Sequence, residues 1–111
     1  MAKDDGGDDD ARMFYWNRIR WMQAVLADRV MPERYKLVGL AIVLRINPPQ
    51  FVSFPELKTV AIDASVSKST AIRATKYLEV NGWLFIHRYG NKKNSTGRQS
   101  NRYSMLTAKC Q

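Results

Sequence analysis

This sequence is short of the residues on which most enzymes and secreted domains depend. It has one cysteine, Cys110, and one histidine, His87. A single thiol makes no internal disulfide, which points to the cytoplasm. One histidine and one cysteine are too few for a metal centre or an activated nucleophile. Tyr89 and Tyr103 lack the clustered acids or histidines that would let a phenol attack a phosphate. No Gly-rich phosphate loop of the Walker kind occurs, and no apolar run approaches the roughly 20 residues that cross a bilayer. The expectation from these deficits is a non-enzyme that needs no cofactor, no metal and no membrane.

Acidic residues are scarce too, except at the start. Residues 1–10 hold five Asp and one Lys, a balance of −4, whereas residues 11–111 hold 17 basic and 5 acidic side chains, a balance of +12. Five Asp where a basic region and an apolar stretch would stand do not read as a secretory leader. Residues 1–11 read instead as an acidic, disordered tail. A body this basic attracts polyanions, of which nucleic acid is the commonest in a cytoplasm.

What the chain does have is a core. Apolar residues make up 45% of its 111, with three Trp, five Tyr and four Phe, enough for one domain. Phe14 to Asp28 reads as a first helix with Ile19, Met22, Val25 and Leu26 on one stripe. Met31-Pro32-Glu33 starts a second, since proline and an acid both suit a helix amino end. From Tyr35 to Ile46 apolar residues fall on every side, which predicts a central helix buried all round, ended by Asn47-Pro48-Pro49. Phe51-Val52-Ser53 reads as extended. Ser53 and Glu56 have the spacing of a capping box and predict a third helix through about Ile62. After Ala64-Ser65-Val66, Ser67 caps a fourth, which Asn81-Gly82 closes. Trp83 to Tyr89 and Asn101 to Leu106 favour strands, joined by a polar turn over residues 90–100.

Two groups of residues in this order carry a function. On the fourth helix, at about 100° per residue, Ala71, Ala74, Thr75 and Leu78 share the inward side while Ser69, Ile72, Arg73 and Lys76 share the opposite one. Cations, a hydroxyl and a methyl-rich group on one face suit phosphates, base edges and thymine methyls. On the hairpin, Lys92, Lys93 and Arg98 crowd the tip, with Arg88 and Arg102 on the flanking strands. Like charges this close repel one another, and a polyanion relieves that repulsion.

The stretch Ala61-Ile62-Asp63-Ala64-Ser65-Val66-Ser67-Lys68-Ser69-Thr70, then Arg73 to Glu79 and Gly82-Trp83-Leu84, resembles bacterial winged helix-turn-helix domains. It is similar to those of GntR-type regulators and of plasmid and phage replication or transfer-control proteins. Gly97 to Tyr103 looks like the return of the wing in the second group. The resemblance implies a mainly α fold with a small β-hairpin wing and an additional N-terminal helix. The domain would span residues 12–107, with the helix-turn-helix at 54–81 and the wing at 83–106. It also implies that Lys68, Ser69, Ile72, Arg73 and Lys76 face the groove of double-stranded DNA, with Ser67 and Thr70 on phosphates at the helix start. Two positions depart from the pattern. Ser65 stands where the family usually has glycine, which predicts a strained turn, and Ile72 stands where a polar residue is commoner.

The function expected is that of a transcriptional regulator on the nucleoid, controlled by abundance, a partner protein or competition at its site. The alternatives are a replication, excision or copy-control factor of a mobile element, and a winged helix used for protein docking. His87, alternating with Phe85 and Tyr89, is expected to pack. Phe14, Tyr15 and Trp16, consecutive on a helix, cannot all face inward, and beside Arg18 and Arg20 they suggest a homodimer contact.

Overall fold

The computed structural model describes residues 5–88 and 101–110. In chain order the elements are α1 (Asp5–Ala27), α2 (Glu33–Val43), α3 (Leu57–Ala64), α4 (Lys68–Val80), β1 (Leu84–His87), β2 (Arg102–Met105) and a 3₁₀ turn at Ala108–Cys110. Among the described residues, four helices and one antiparallel strand pair make the fold mainly helical. The hairpin pairs Leu84 with Met105 and His87 with Arg102. Among the described residues no helix is long and apolar enough to cross a membrane.

α2 is the central element, touching α1, α3, α4 and β2. Its Val38, Gly39, Ile42 and Val43 are buried, but Leu37 and Leu44 are exposed, so the helix is covered on one side rather than all round. Regular α-helix stops at Val43, and Arg45 and Ile46 follow in a tighter turn, bonded to the carbonyls of Ile42 and Val43 at 3.1 and 3.0 Å.

α1 departs further from expectation. It starts at Asp5, so the segment read as a disordered tail is helical over residues 5–11. Negative charge at a helix amino end is favoured by the macrodipole, which suits the acids of this stretch. Its inward stripe is Phe14, Trp21 and Val25, all buried, while Ile19 and Leu26, expected inside, are exposed. Arg18 completes that stripe and hides it from a hydrophobicity count. Half-buried, it donates to the Ile46 carbonyl at 2.8 Å and to Asn47 Oδ1 at 3.3 Å, while its stem covers apolar surface. Between α1 and α2, Asp28 accepts from the Val30 and Met31 amides at 2.8 and 3.0 Å. Those two bonds hold its carboxyl below the usual range.

The expected capping box does not form. Glu56 takes the cap position of α3, and its side chain makes no capping hydrogen bond there. Ser53 is buried instead, its hydroxyl donating to the Ile42 carbonyl at 3.3 Å. Its backbone exchanges two bonds with Tyr103 (3.0 and 2.7 Å), adding a short third rung to the hairpin. Pairing with β2 satisfies both backbone groups of Ser53, which a cap would not, and tertiary pairing prevails.

The core closes around Trp21, which is 0% exposed. Its indole N–H donates to the Trp83 carbonyl at 3.0 Å, and the two rings meet edge to face at 5.8 Å. Gly39 of α2 lies against it: a Cβ there would stand 3.1 Å from the tip of the Trp21 ring and 3.4 Å from Leu78. Because the hydrogen bond fixes the indole, the ring has little room to retreat. Gly39→Ala is therefore expected to destabilise the fold by about 1–3 kcal/mol despite alanine's better helix propensity. The denaturant midpoint measures this, and an unchanged or raised midpoint would show that Trp21 yields.

Candidate nucleic-acid interface

The surface in question begins with the turn between α3 and α4. Ser65 ends α3 in the left-handed region, at φ 59° and ψ 43°. Its amide donates to the Ile62 carbonyl at 3.1 Å and that of Val66 to the Ala61 carbonyl at 3.0 Å, the paired bonds of a Schellman stop. The departure from glycine expected at this position is thus a real conformational cost. Val66 packs against the core, and Ser67 then caps α4. Its Oγ accepts from the Thr70 amide at 3.1 Å and donates to Thr70 Oγ1 at 3.0 Å.

α4 divides as its sequence predicts. Ala71, Ala74, Thr75 and Leu78 are buried, and Lys68, Ser69, Ile72, Arg73 and Lys76 are exposed together on the other side. Thr70 does not belong with them. It is buried, and its hydroxyl also accepts from Arg73 Nη2 at 3.3 Å, so it steadies Arg73 rather than facing outward. Ser67 is exposed at the helix start with its oxygen engaged in the cap.

α4 ends in a second Schellman stop, this time on glycine. Gly82 has φ 80°, its amide donates to the Glu79 carbonyl at 3.1 Å, and Trp83 donates to the Leu78 carbonyl at 2.8 Å. The sharp reversal sends the chain straight into β1. Arg88, just past β1, returns to α4 and donates to Glu79 Oε2 at 2.6 Å. The bond holds the Glu79 carboxyl below its usual range and raises Arg88. Arg88 thus braces the root of the hairpin against α4. Arg102 is exposed opposite His87 on the neighbouring strand. Lys92, Lys93 and Arg98, the expected tip cations, lie outside the described residues, as does Tyr89.

One feature was invisible in the sequence. Pro32, Glu33, Arg34 and Tyr35, from the amino end of α2, line an open cleft of about 380 Å³ with Thr70 and Arg73 of α4. It brings Arg34 alongside Arg73, and no local signal links residues so far apart in the chain. Leu84 and Ile86 point inward, so Phe85 (54% exposed) and His87 point out, and His87, expected to pack, lies on the exposed face. Cys110 is half-buried, and burial pushes its thiol pKa up. Of the expected dimer residues, Phe14 is only 9% exposed, its ring 5.2 Å from that of Phe51, so it belongs to the core. Tyr15 and Trp16 are exposed.

Compared with protein-family models, with curated proteins and with solved structures, the chain matches none. What this surface does must therefore be argued from its chemistry.

Two outcomes test the geometry. Ser65→Gly relieves the left-handed backbone of its side-chain penalty and is expected to stabilise the domain by about 0.5–1 kcal/mol, read from the thermal midpoint. Loss of stability would mean the serine side chain holds the turn. Glu79→Gln is expected to cost under about 1 kcal/mol near neutrality, because the pair is partly solvent-screened. A depressed carboxyl contributes stability above its ordinary pKa and loses it as pH falls through the lowered folded value. The gap between the two proteins should then close in acid, below about pH 4. A gap that persists there would assign Glu79 a role other than this ion pair.

Proposed function

We propose that this chain is a winged helix-turn-helix protein that binds double-stranded DNA sequence-specifically and acts as a transcriptional regulator. In this reading α4 enters the major groove and the β1–β2 hairpin is the wing beside it. The observation that carries it is the division of α4: one face buried to its full length, the other presenting Lys68, Ser69, Ile72, Arg73 and Lys76 to solvent. A groove about 12 Å wide admits a single helix. Arginine and lysine reach guanine edges and phosphates, serine bonds either, and isoleucine methyls suit a thymine methyl.

Charge supports the same reading. The balance of +12 over residues 11–111 gives the body a field that draws in duplex at long range. Lys92, Lys93, Arg98 and Arg102 add wing cations for the backbone or the minor groove. Arg88 contributes by fixing where the wing leaves α4, since its guanidinium is held by Glu79. Thr70 contributes by holding Arg73, so that less side-chain freedom is lost on binding.

Selection of bound sequences from a random duplex pool is the direct test: a consensus supports the reading and an unenriched pool overturns it. Against the selected site, Arg73→Ala should lose about 1–3 kcal/mol of binding, with a much smaller loss on random duplex. Equal losses would place Arg73 on phosphate alone. Replacing Lys92, Lys93 and Arg98 with alanine should flatten the plot of log affinity against log salt by about 0.9 for each phosphate contact removed. An unchanged slope would take the wing out of the interface.

A further inference from the structure

α1 carries two stripes at heptad spacing. The first, Phe14, Arg18, Trp21 and Val25, faces the core. The second, Asp9, Met13, Trp16, Arg20 and Gln23, lies on the opposite side, and every one of its residues is exposed. Met13 and Trp16 are 56% and 55% exposed. These are large apolar side chains to leave on the solvent face of a helix, and apolar patches rimmed by charge mark association surfaces. Among the side chains described, none in α1 before Phe14 is buried. A helical half with so little packing beneath it is marginal on its own.

We propose that two copies of this chain associate through α1, antiparallel, about a two-fold axis. Met13 of each helix packs on Trp16 of the other, and Asp9 of each meets Arg20 of the other. Charge sets the direction. The amino end of the chain is acidic, whereas the exposed Arg12 and Arg20 follow in the middle of the helix. Parallel pairing would bring the two acidic ends together and the two basic stretches together. Antiparallel pairing separates the two acidic ends, and the register that places Met13 opposite Trp16 also places Asp9 opposite Arg20. Arg20 already lies over the Trp16 ring, 5.8 Å from its centroid, on the stripe that would meet the second copy. The contact is isologous and closes on itself, as a two-fold interface must. It stands independently of any nucleic acid.

Sedimentation of the full chain at micromolar concentration and low salt tests this. The natural sequence is expected to run as a dimer, and Asp9→Arg and Arg20→Asp should each weaken association about tenfold or more. Combining both changes in one chain restores the opposite-charge pairs and should return the affinity to within about threefold of the natural value. Residues 9 and 20 stand about 16 Å apart along one helix, so only a contact between chains can produce that rescue. Trp16→Glu should leave a folded monomer, checked by circular dichroism and thermal unfolding. A natural chain that stays monomeric, a dimer indifferent to Trp16→Glu, or a double variant no better than the singles would each overturn the proposal.

Discussion

One hydrogen bond organises this molecule: the Trp21 indole N–H on the Trp83 carbonyl, at 3.0 Å in a fully buried setting. A buried indole donor left without a partner would cost about 1–3 kcal/mol, so the bond dictates where α1 sits relative to the α4–β1 junction. Gly39 is the corollary, because only a residue without a side chain lets α2 approach that indole so closely. The Trp83 ring is covered in turn by Trp21 at 5.8 Å and by the Lys109 ammonium at 5.3 Å. The end of the described chain therefore belongs to the same cluster as its first helix.

From that fixed point the exposed face of α4 is set by two helix stops of one kind. The Ser65 and Gly82 stops bracket α4 and set its direction at both ends. One uses glycine without cost. The other places serine in a region that L-residues avoid, and the surrounding bonds to Ile62 and Ala61 hold it there. Between them, small inward residues let α4 lie close against α2 and α3, leaving its polar face uncovered. The hairpin is pinned at its root by Glu79–Arg88 and on its flank by the Ser53–Tyr103 pairing. A helix and strands held at defined positions are what the proposed groove binding asks of a scaffold.

α1 is organised differently. One stripe ties it to the core while the other points to solvent, and its charge is segregated along its length. Among the described residues outside α1, Ile62 and Val80 are exposed apolar side chains with polar residues beside them in sequence. Single exposed apolar groups are ordinary. Met13, Trp16 and their flanking Tyr15 and Ile19 on one helix are a patch, which is why that helix and not the others suggests a protein partner.

The amino-acid sequence determined the elements whose signals are local. Ser67 as the α4 cap, Gly82 as its stop, the inward set Ala71, Ala74, Thr75 and Leu78, and the two strands all follow from propensity, capping and helical period within a few residues. The outward set on α4 was legible for the same reason, except Thr70, whose hydroxyl a neighbouring arginine claims. Only the tertiary structure decided the rest, because those outcomes depend on groups far apart in the chain. Arg18 occupies a core stripe by reaching the Ile46 carbonyl. Ser53 forsakes a cap to pair with Tyr103. Phe14 turns inward onto Phe51, and Arg88 is drawn from the candidate DNA surface to Glu79. In each case a long-range partner satisfied a polar group or covered an apolar one better than any neighbour in sequence, and local pattern has no access to that competition.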